Sequence, residues 1–443
     1  MQAGIPTELG TEKISKLLRQ YAIPSIIAMS CSSLYNLVDS IYIGQFEGGY
    51  ALAGLALTFP LMNLGTAFSS MIAVGASANI GIFLGKKDYA NAQKVLGNAV
   101  TLNFIIGLLY MVGVLLFLDP ILTFFGASGN TLPHAREYMK IILYGNIISH
   151  TYFALNAVLR ATGLPKKAMR ASIYTVIINA ILDPAFIYWW GIKGAAMATV
   201  IAQGVSLAWV IFILSNRNHV VHFQKGGYSL VPAIVKRILS VGMSPFFMNA
   251  TACLIVIAFN QGLKENGGDL AVAAYGISHK LTFLFIMIVM GLNQGMQPIA
   301  SYNFGAGLYD RLKKVVTYTA MCAIAVTTTG FIIAELFPKT LVMMFTSDEA
   351  LIAEAIRGVR ISFMFYPIVG FQMVTSNFFR SIGYAGTAIF LSLTRQLIFV
   401  LPFIFILPRF FGLDGIWASM PLADLTSCII SASIMIYHLK KLK

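Results

Sequence analysis

The chain has 443 residues, 58% of them hydrophobic and only 11% charged, with 31 Lys and Arg against 17 Asp and Glu for a net charge of +14. Soluble domains carry about 25% charged residues, so a water-soluble enzyme or binding module is excluded. The positive balance invites a nucleic-acid reading, which the distribution of the charge removes.

Twelve apolar runs follow one another: 17–44, 51–84, 91–118, 138–160, 168–190, 194–215, 237–262, 271–304, 312–336, 355–380, 386–407 and 414–438. Each is near or above the roughly 20 residues that cross a hydrocarbon core about 30 Å thick. The first is too long for a signal-peptide core, carries Asp39 and has no small-residue cleavage site behind a basic leader, so it reads as a span. The second and eighth exceed 30 residues and must tilt or reach past the lipid. With the N-terminus inside, 21 of the Lys and Arg fall on inner loops and tails and 8 on outer loops, while Lys280 and Arg395 lie within runs. That positive-inside asymmetry predicts a multi-pass inner-membrane protein with both termini cytoplasmic, in contact with the lipid bilayer and not with nucleic acid. Residues 1–215 and 237–443 form two six-span lobes, and the polar stretch 216–236 is a cytoplasmic connector between them.

The second lobe repeats the first. Gly75 and Gly85 recur as Gly295 and Gly305, Arg160 and Gly163 as Arg380 and Gly383, and Gly191 and Gly194 as Gly412 and Gly415, at offsets of 220, 220 and 221. An even number of spans per copy gives both copies one orientation, which implies a pseudo-two-fold axis along the membrane normal and a cleft at the lobe interface. The expected fold is all-α: twelve transmembrane helices in two six-helix bundles. Pro24 and Pro245, 221 apart, mark the first helix of each lobe, either as static kinks or as hinges.

Ionisable residues inside spans cost about 2.5–3.5 kcal/mol on insertion scales, so they face a cavity or a partner. The first lobe has Asp39 in its first span and Asp183 in its fifth. Tyr35 and Asn36 precede Asp39 by four and three residues, and Asn179 precedes Asp183 by four, which puts each set on one helix face. Alternating span direction brings Asp39, Asp183, Tyr138 and Thr199 to one outer depth. Two carboxylates in a poorly hydrated pocket can exchange a proton or hold Na⁺; the alternative is a solvated rim at the membrane surface. The second lobe reads Ile257-Ala-Phe-Asn260 at the counterpart of Asp39 and has no acid there. Its intramembrane charges are Lys280, Arg395 and Asp424, the last matching Gln203 at offset 221. Arg395 and Lys280 pair with acids or meet an anionic substrate group.

Cys31, Cys253, Cys322 and Cys428 lack paired spacing and read as buried, inert thiols. Trp189, Trp190 and Trp417 stand at span ends, as interfacial anchors do. No phosphate-cradling loop, metal-binding His/Glu helix or nucleophile elbow occurs, so neither an ATP-driven pump nor an enzyme is indicated, and no cofactor is implied.

These residues resemble the multidrug and toxic compound extrusion family of antiporters, and within it the DinF-like branch, whose coupling acids sit in the N-terminal lobe. The resemblance rests on Pro24, Tyr35-Asn-Leu-Val-Asp39, Gly85 to Tyr89, Asn156 to Gly163, and Asn179 with Asp183-Pro184. It implies efflux of small amphipathic organic cations by a monomer in exchange for H⁺ or Na⁺. It also implies a cation site at Asp39, Asn179 and Asp183, completed by Thr199 and the Ala195 carbonyl, with Tyr138 bonded into it and a bend at Pro24. Tyr35, Asn36, Gln203, Lys280, Arg395 and Asp424 are candidates for the substrate cavity. A flippase for lipid-linked precursors, on a related two-bundle plan, is the alternative; it would need a strongly basic central cavity.

Overall fold

The computed structural model describes residues 7–47, 49–224 and 226–442, with the backbone alone at 34–41, 44, 45, 49 and 52. No strand occurs among the described residues. The helices of the first lobe are α1 (Ile14–Phe46), α2 (Gly49–Gly85), α3 (Tyr89–Leu116), α4 (Leu132–Ala161), α5 (Pro165–Trp190) and α6 (Ile192–Leu214). Those of the second are α7 (232–267), α8 (269–305), α9 (Tyr309–Leu336), α10 (Glu349–Phe363 continued by Tyr366–Ser381), α11 (Ala385–Ile406) and α12 (413–441). Gly268 (φ 67°, ψ −164°) separates α7 from α8. Proline in the first turn starts α4, α5 and α7, where its missing N–H costs nothing. Asp88 caps α3 by accepting from the Asn91 N–H at 3.1 Å.

The expected twelve helices are present, with additions between them. Short helices cross at Glu8–Thr11, Leu118–Phe124 and Pro338–Met343. The stretch 216–236 is only partly a connector, because α7 begins at Pro232. What precedes α7 is stitched to one face of α3. Asn98 Oδ1 accepts from the Val231 N–H at 2.8 Å, Thr101 donates to the Tyr228 carbonyl at 2.7 Å, and Gln93 exchanges hydrogen bonds with the His222 backbone.

The repeat is written into the backbone. Gly191 and Gly412 end α5 and the α11 segment at φ 61°, ψ −141° and φ 54°, ψ −132°, a region closed to side chains. From Pro165 to Gly191 and from Ala385 to Gly412, however, the second copy is one residue longer, the step from offset 220 to 221. The extra residue is absorbed in α11 as a π-helical segment, Thr394–Val400, where the Leu401 N–H bonds to the Gln396 carbonyl five residues back.

The lobes meet at the end of the helices that carries Lys86, Lys87, Lys313 and Lys314, hereafter the basic end. There one apolar cluster runs through both lobes, from Leu17 and Ile72 to Ile299 and Val316. Toward the other end each lobe has its own clusters: Ile43 to Ala196 and Leu61 to Leu143 in the first, Ile255 to Ala423 in the second. Between apolar helices in lipid, close van der Waals packing of small residues replaces the hydrophobic drive. A Cβ on Gly85 would stand 2.1 Å from the Tyr302 carbonyl oxygen, and one on Gly305 would stand 2.1 Å from that of Ile82. Positions 82 and 302 are themselves 220 apart, so this is one contact made twice with the lobes exchanged. Gly295 presses on Ala22 and Gly291 on Ile26 in the same way. The N-terminal segment adds a strap: Asn303 and Arg311 both donate to the Leu9 carbonyl, at 2.9 and 3.2 Å.

Three readings of single residues change. Trp417 is fully buried, not interfacial: it donates to Glu354 at 3.2 Å, and its ring covers Gly358. Trp189 and Trp190 are exposed. The thiols are not uniformly buried, because Cys322 is exposed on the flank of α9 and the other three are intermediate.

Candidate functional site

Helix α5 carries a polar stripe, Ser172, Thr175, Asn179 and Asp183, at spacings of three, four and four that keep it on one face. In the folded lobe this face points between α4 and α6. Asp183 has no exposed surface, Asn179 has 1% and Thr199 has 9%. The Asn179 amide donates to Asp183 Oδ1 at 2.9 Å and to Thr199 Oγ1 at 3.4 Å, which ties α5 to α6. The Asn179 carbonyl oxygen is buried without a partner among the described residues. Such an oxygen beside a carboxylate and a hydroxyl offers a small cation several oxygen ligands at once.

An apolar cap lies on one side of this cluster. Ile43 of α1, Ile187 of α5, Tyr138 of α4 and Ala195 of α6 pack together there, all nearly inaccessible. Ile43 stands one helical turn after Asp39, Ile187 one turn after Asp183, and Ala195 one turn before Thr199. Of the residues expected at the site, Asn179, Asp183 and Thr199 are thus joined by hydrogen bonds, and Tyr138 and Ala195 cap them. The backbone of Asp39, Tyr35 and Asn36 continues α1; their side chains lie outside the described residues. Pro24 is buried inside an uninterrupted α1, between the points where Gly295 and Gly291 touch it.

One layer of the site was not foreseen. Thr175 donates to Ser206 at 2.7 Å and to the Tyr152 hydroxyl at 3.1 Å, and that hydroxyl donates to Ser172 at 3.4 Å. These hydroxyls, buried except for half-buried Ser172, carry the polar stripe two turns from Asp183 toward the basic end. The spacing along α5 was the signal, readable once Ser172 and Thr175 were counted with the amide and the acid. Gln203 lies beside this layer and accepts from Ser149.

The second lobe has no acid where Asp183 stands, since its counterpart at offset 221 is Ile404, 2% exposed. Its charged pair lies deeper. Arg395, on the π-helical segment of α11, donates through Nε to Asp424 Oδ1 of α12 at 2.5 Å. Lys280 does not join them: it is exposed, with its ammonium 5.9 Å from the Phe345 ring centre.

Two six-helix lobes, sealed against each other at one end and each holding a polar interior within an apolar shell, define a membrane transporter rather than an enzyme. The model of the family MatE matches residues 24–185 and 232–406, and the chain belongs to that family. Among similar proteins are the multidrug export proteins MepA of Staphylococcus haemolyticus and of Staphylococcus aureus. They are 26% identical over 432 and 441 residues, covering 96% of this chain and 94% of each relative. Solved structures of the same architecture include an outward-facing conformation of a multidrug resistance MATE family transporter (TM-score 0.92) and a MATE in a bent conformation (TM-score 0.93). Both are 25% identical and cover 99% of this chain and 98% of theirs.

Proposed function

We propose that this chain exports small organic cations across the plasma membrane, as a monomer, in exchange for H⁺ or Na⁺. In this reading the basic ends and both termini are cytoplasmic, and the first lobe's polar interior is the coupling site. The observation that carries it is the burial of Asp183, hydrogen-bonded to Asn179 beside Thr199 and under a cap that α1 completes one turn beyond Asp39. A buried carboxylate is costly unless neutralised. A proton or Na⁺ neutralises it from one side of the membrane, and a substrate cation competes for the same charge. One charge moving inward down 100 mV yields about 2.3 kcal/mol, and each pH unit about 1.4 kcal/mol. For a monovalent cation exported one for one the potential acts equally on both charges and cancels, so one pH unit sustains about a tenfold gradient, and a larger one needs a second ion per substrate. In this reading, sealed basic ends put the opening between the lobes on the outer side. The relatives named for multidrug export support a broad substrate range.

The test is ethidium efflux from proteoliposomes under imposed H⁺ or Na⁺ gradients. Wild type should concentrate the dye, whereas Asp183→Asn and Asp39→Asn should move it only downhill. Normal concentration by both variants would refute the assignment of the site, and downhill movement by wild type would refute exchange itself.

A further inference from the structure

The second lobe's buried pair is more than a brace between two helices. Ser392, one turn before the pair on α11, bonds to Ser244 of α7 at 2.9 Å and to Ser376 of α10 at 3.2 Å, so this face of α11 looks into the lobe interior. Arg395 and Gln396 follow three and four residues later on that face, and Gln396 accepts from Thr251 of α7. Arg395 gives only its Nε to Asp424. Its two terminal amino groups, four N–H donors in a planar fork, make no hydrogen bond among the described residues. The side chain is 26% exposed, against 10% for Asp424. A brace between helices is best made as a two-pronged Arg–carboxylate contact, the stronger geometry, as Arg136 makes with Asp119 through Nε and Nη2 at 2.7 and 2.6 Å. Here the fork is turned away from its acid. Arg395 stands on the π-helical segment, which α5 lacks. At offset 220 α5 carries Thr175 where α11 carries Arg395, so the first lobe has no cation at this place.

Resting on the efflux reading above, we propose that Arg395 is a docking point for an anionic group, a carboxylate or sulfonate, on an amphipathic substrate. Asp424 holds the guanidinium in place when no such group is present. The substrate range then includes zwitterions as well as cations: the second lobe takes the negative end, and the first lobe's carboxylates take the positive end.

Rhodamine B, a zwitterion, and its ethyl ester, a cation with the same ring system, differ only at the group in question. Their binding to the purified full chain is read by fluorescence anisotropy, and their export by dye efflux from proteoliposomes. Wild type should bind and export both. Arg395→Gln should weaken rhodamine B about tenfold, the worth of one charge-assisted contact, and the ester less than about twofold. Asp424→Asn should tighten rhodamine B severalfold, because the competing carboxylate is gone; a purely structural pair gives no such gain. The double variant Arg395→Gln/Asp424→Asn leaves no buried charge unpaired and should bind the two dyes as Arg395→Gln does, which separates the effect from misfolding. Equal loss of both dyes, no change for rhodamine B in Arg395→Gln, or a wild type that binds the ester but not the acid would overturn the docking site while leaving the efflux reading standing. A wild type that binds and exports neither dye would overturn both.

Discussion

Replacing Gly85 by alanine adds one methyl group at a point where the backbones of the two lobes are in close contact. It would sit 2.1 Å from the Tyr302 carbonyl oxygen, 2.8 Å from the Ala306 nitrogen and 3.0 Å from the Gly305 carbonyl carbon. All three are backbone atoms, so no rotamer change relieves the clash. Carbon and carbonyl oxygen tolerate each other at about 3.3 Å, which requires α2 and α8 to separate by about 1 Å. A gap of that size forfeits between a quarter and a half of the contact energy along the seam. Overpacking of this kind costs about 1–3 kcal/mol. At 1.4 kcal/mol per factor of ten, the population with sealed basic ends falls by about 5- to 150-fold relative to the open form. Gly305→Ala should do the same through the Ile82 carbonyl, and the double variant should add to it.

The assay is a distance distribution between spin labels at Lys86→Cys and Asp310→Cys, both exposed at the basic end, in a chain whose four native cysteines are replaced by alanine. The parent should give one short distance, and the glycine variants a second, longer one. Gly113→Ala and Gly276→Ala, where a new Cβ meets nothing within 4 Å, should leave the distribution unchanged. A folded Gly85→Ala protein with the parent's distribution would refute the argument that backbone approach at these glycines sets the closed state.

Two further outcomes follow from the same structure. Lys87 adopts φ 60° where its counterpart in the second lobe, Gly307, adopts φ 71°; a left-handed conformation costs a side-chain residue about 1–2 kcal/mol, so Lys87→Gly should raise the thermal midpoint in detergent, whereas an unchanged or lower midpoint would count against that strain. Asn98→Ala removes the acceptor of the Val231 N–H and a donor to the Ser229 carbonyl; each buried group left without a partner costs about 1–3 kcal/mol, so trypsin should cut at Arg217 several times faster, and an unchanged rate would mean that the connector is held by other contacts.

The helices were legible because a bilayer imposes a length and an apolar composition that are visible residue by residue. The repeat was legible because glycines that permit close approach cannot be exchanged for other residues without loss. The first lobe's cluster was legible in part. Asn179 and Asp183 declare themselves by charge and spacing in an apolar run, while Ser172 and Thr175 pass as ordinary helix residues until their partners on α4 and α6 are known. Trp417 misled because a tryptophan at a span end is equally suited to an interface or to a core. Only the tertiary neighbours, Gly358 and Glu354, decide between them. The step from offset 220 to 221 was plain in the sequence. That it becomes a π-helical segment rather than a longer loop was not, because the two solutions differ only in where the extra residue is accommodated.

The placement of the clamps on α1 explains how a cation in the first lobe could bear on the seam. Gly295 and Gly291 grip this helix at Ala22 and Ile26, on either side of Pro24, and its far end reaches Ile43 in the cap over Asp183. One helix thus touches the second lobe at the basic end and the candidate coupling site at the other. Pro24 lacks the N–H that would stiffen the turn between the two clamps. On the exchange reading proposed above, neutralising the buried acid changes what the cap must shield, and α1 is the element expected to move, about Pro24. The second lobe has the same proline at Pro245 but Ile404 in place of the acid. On that reading, its first helix has the proline without the acid beside it, and the ion-driven step is expected in the first lobe.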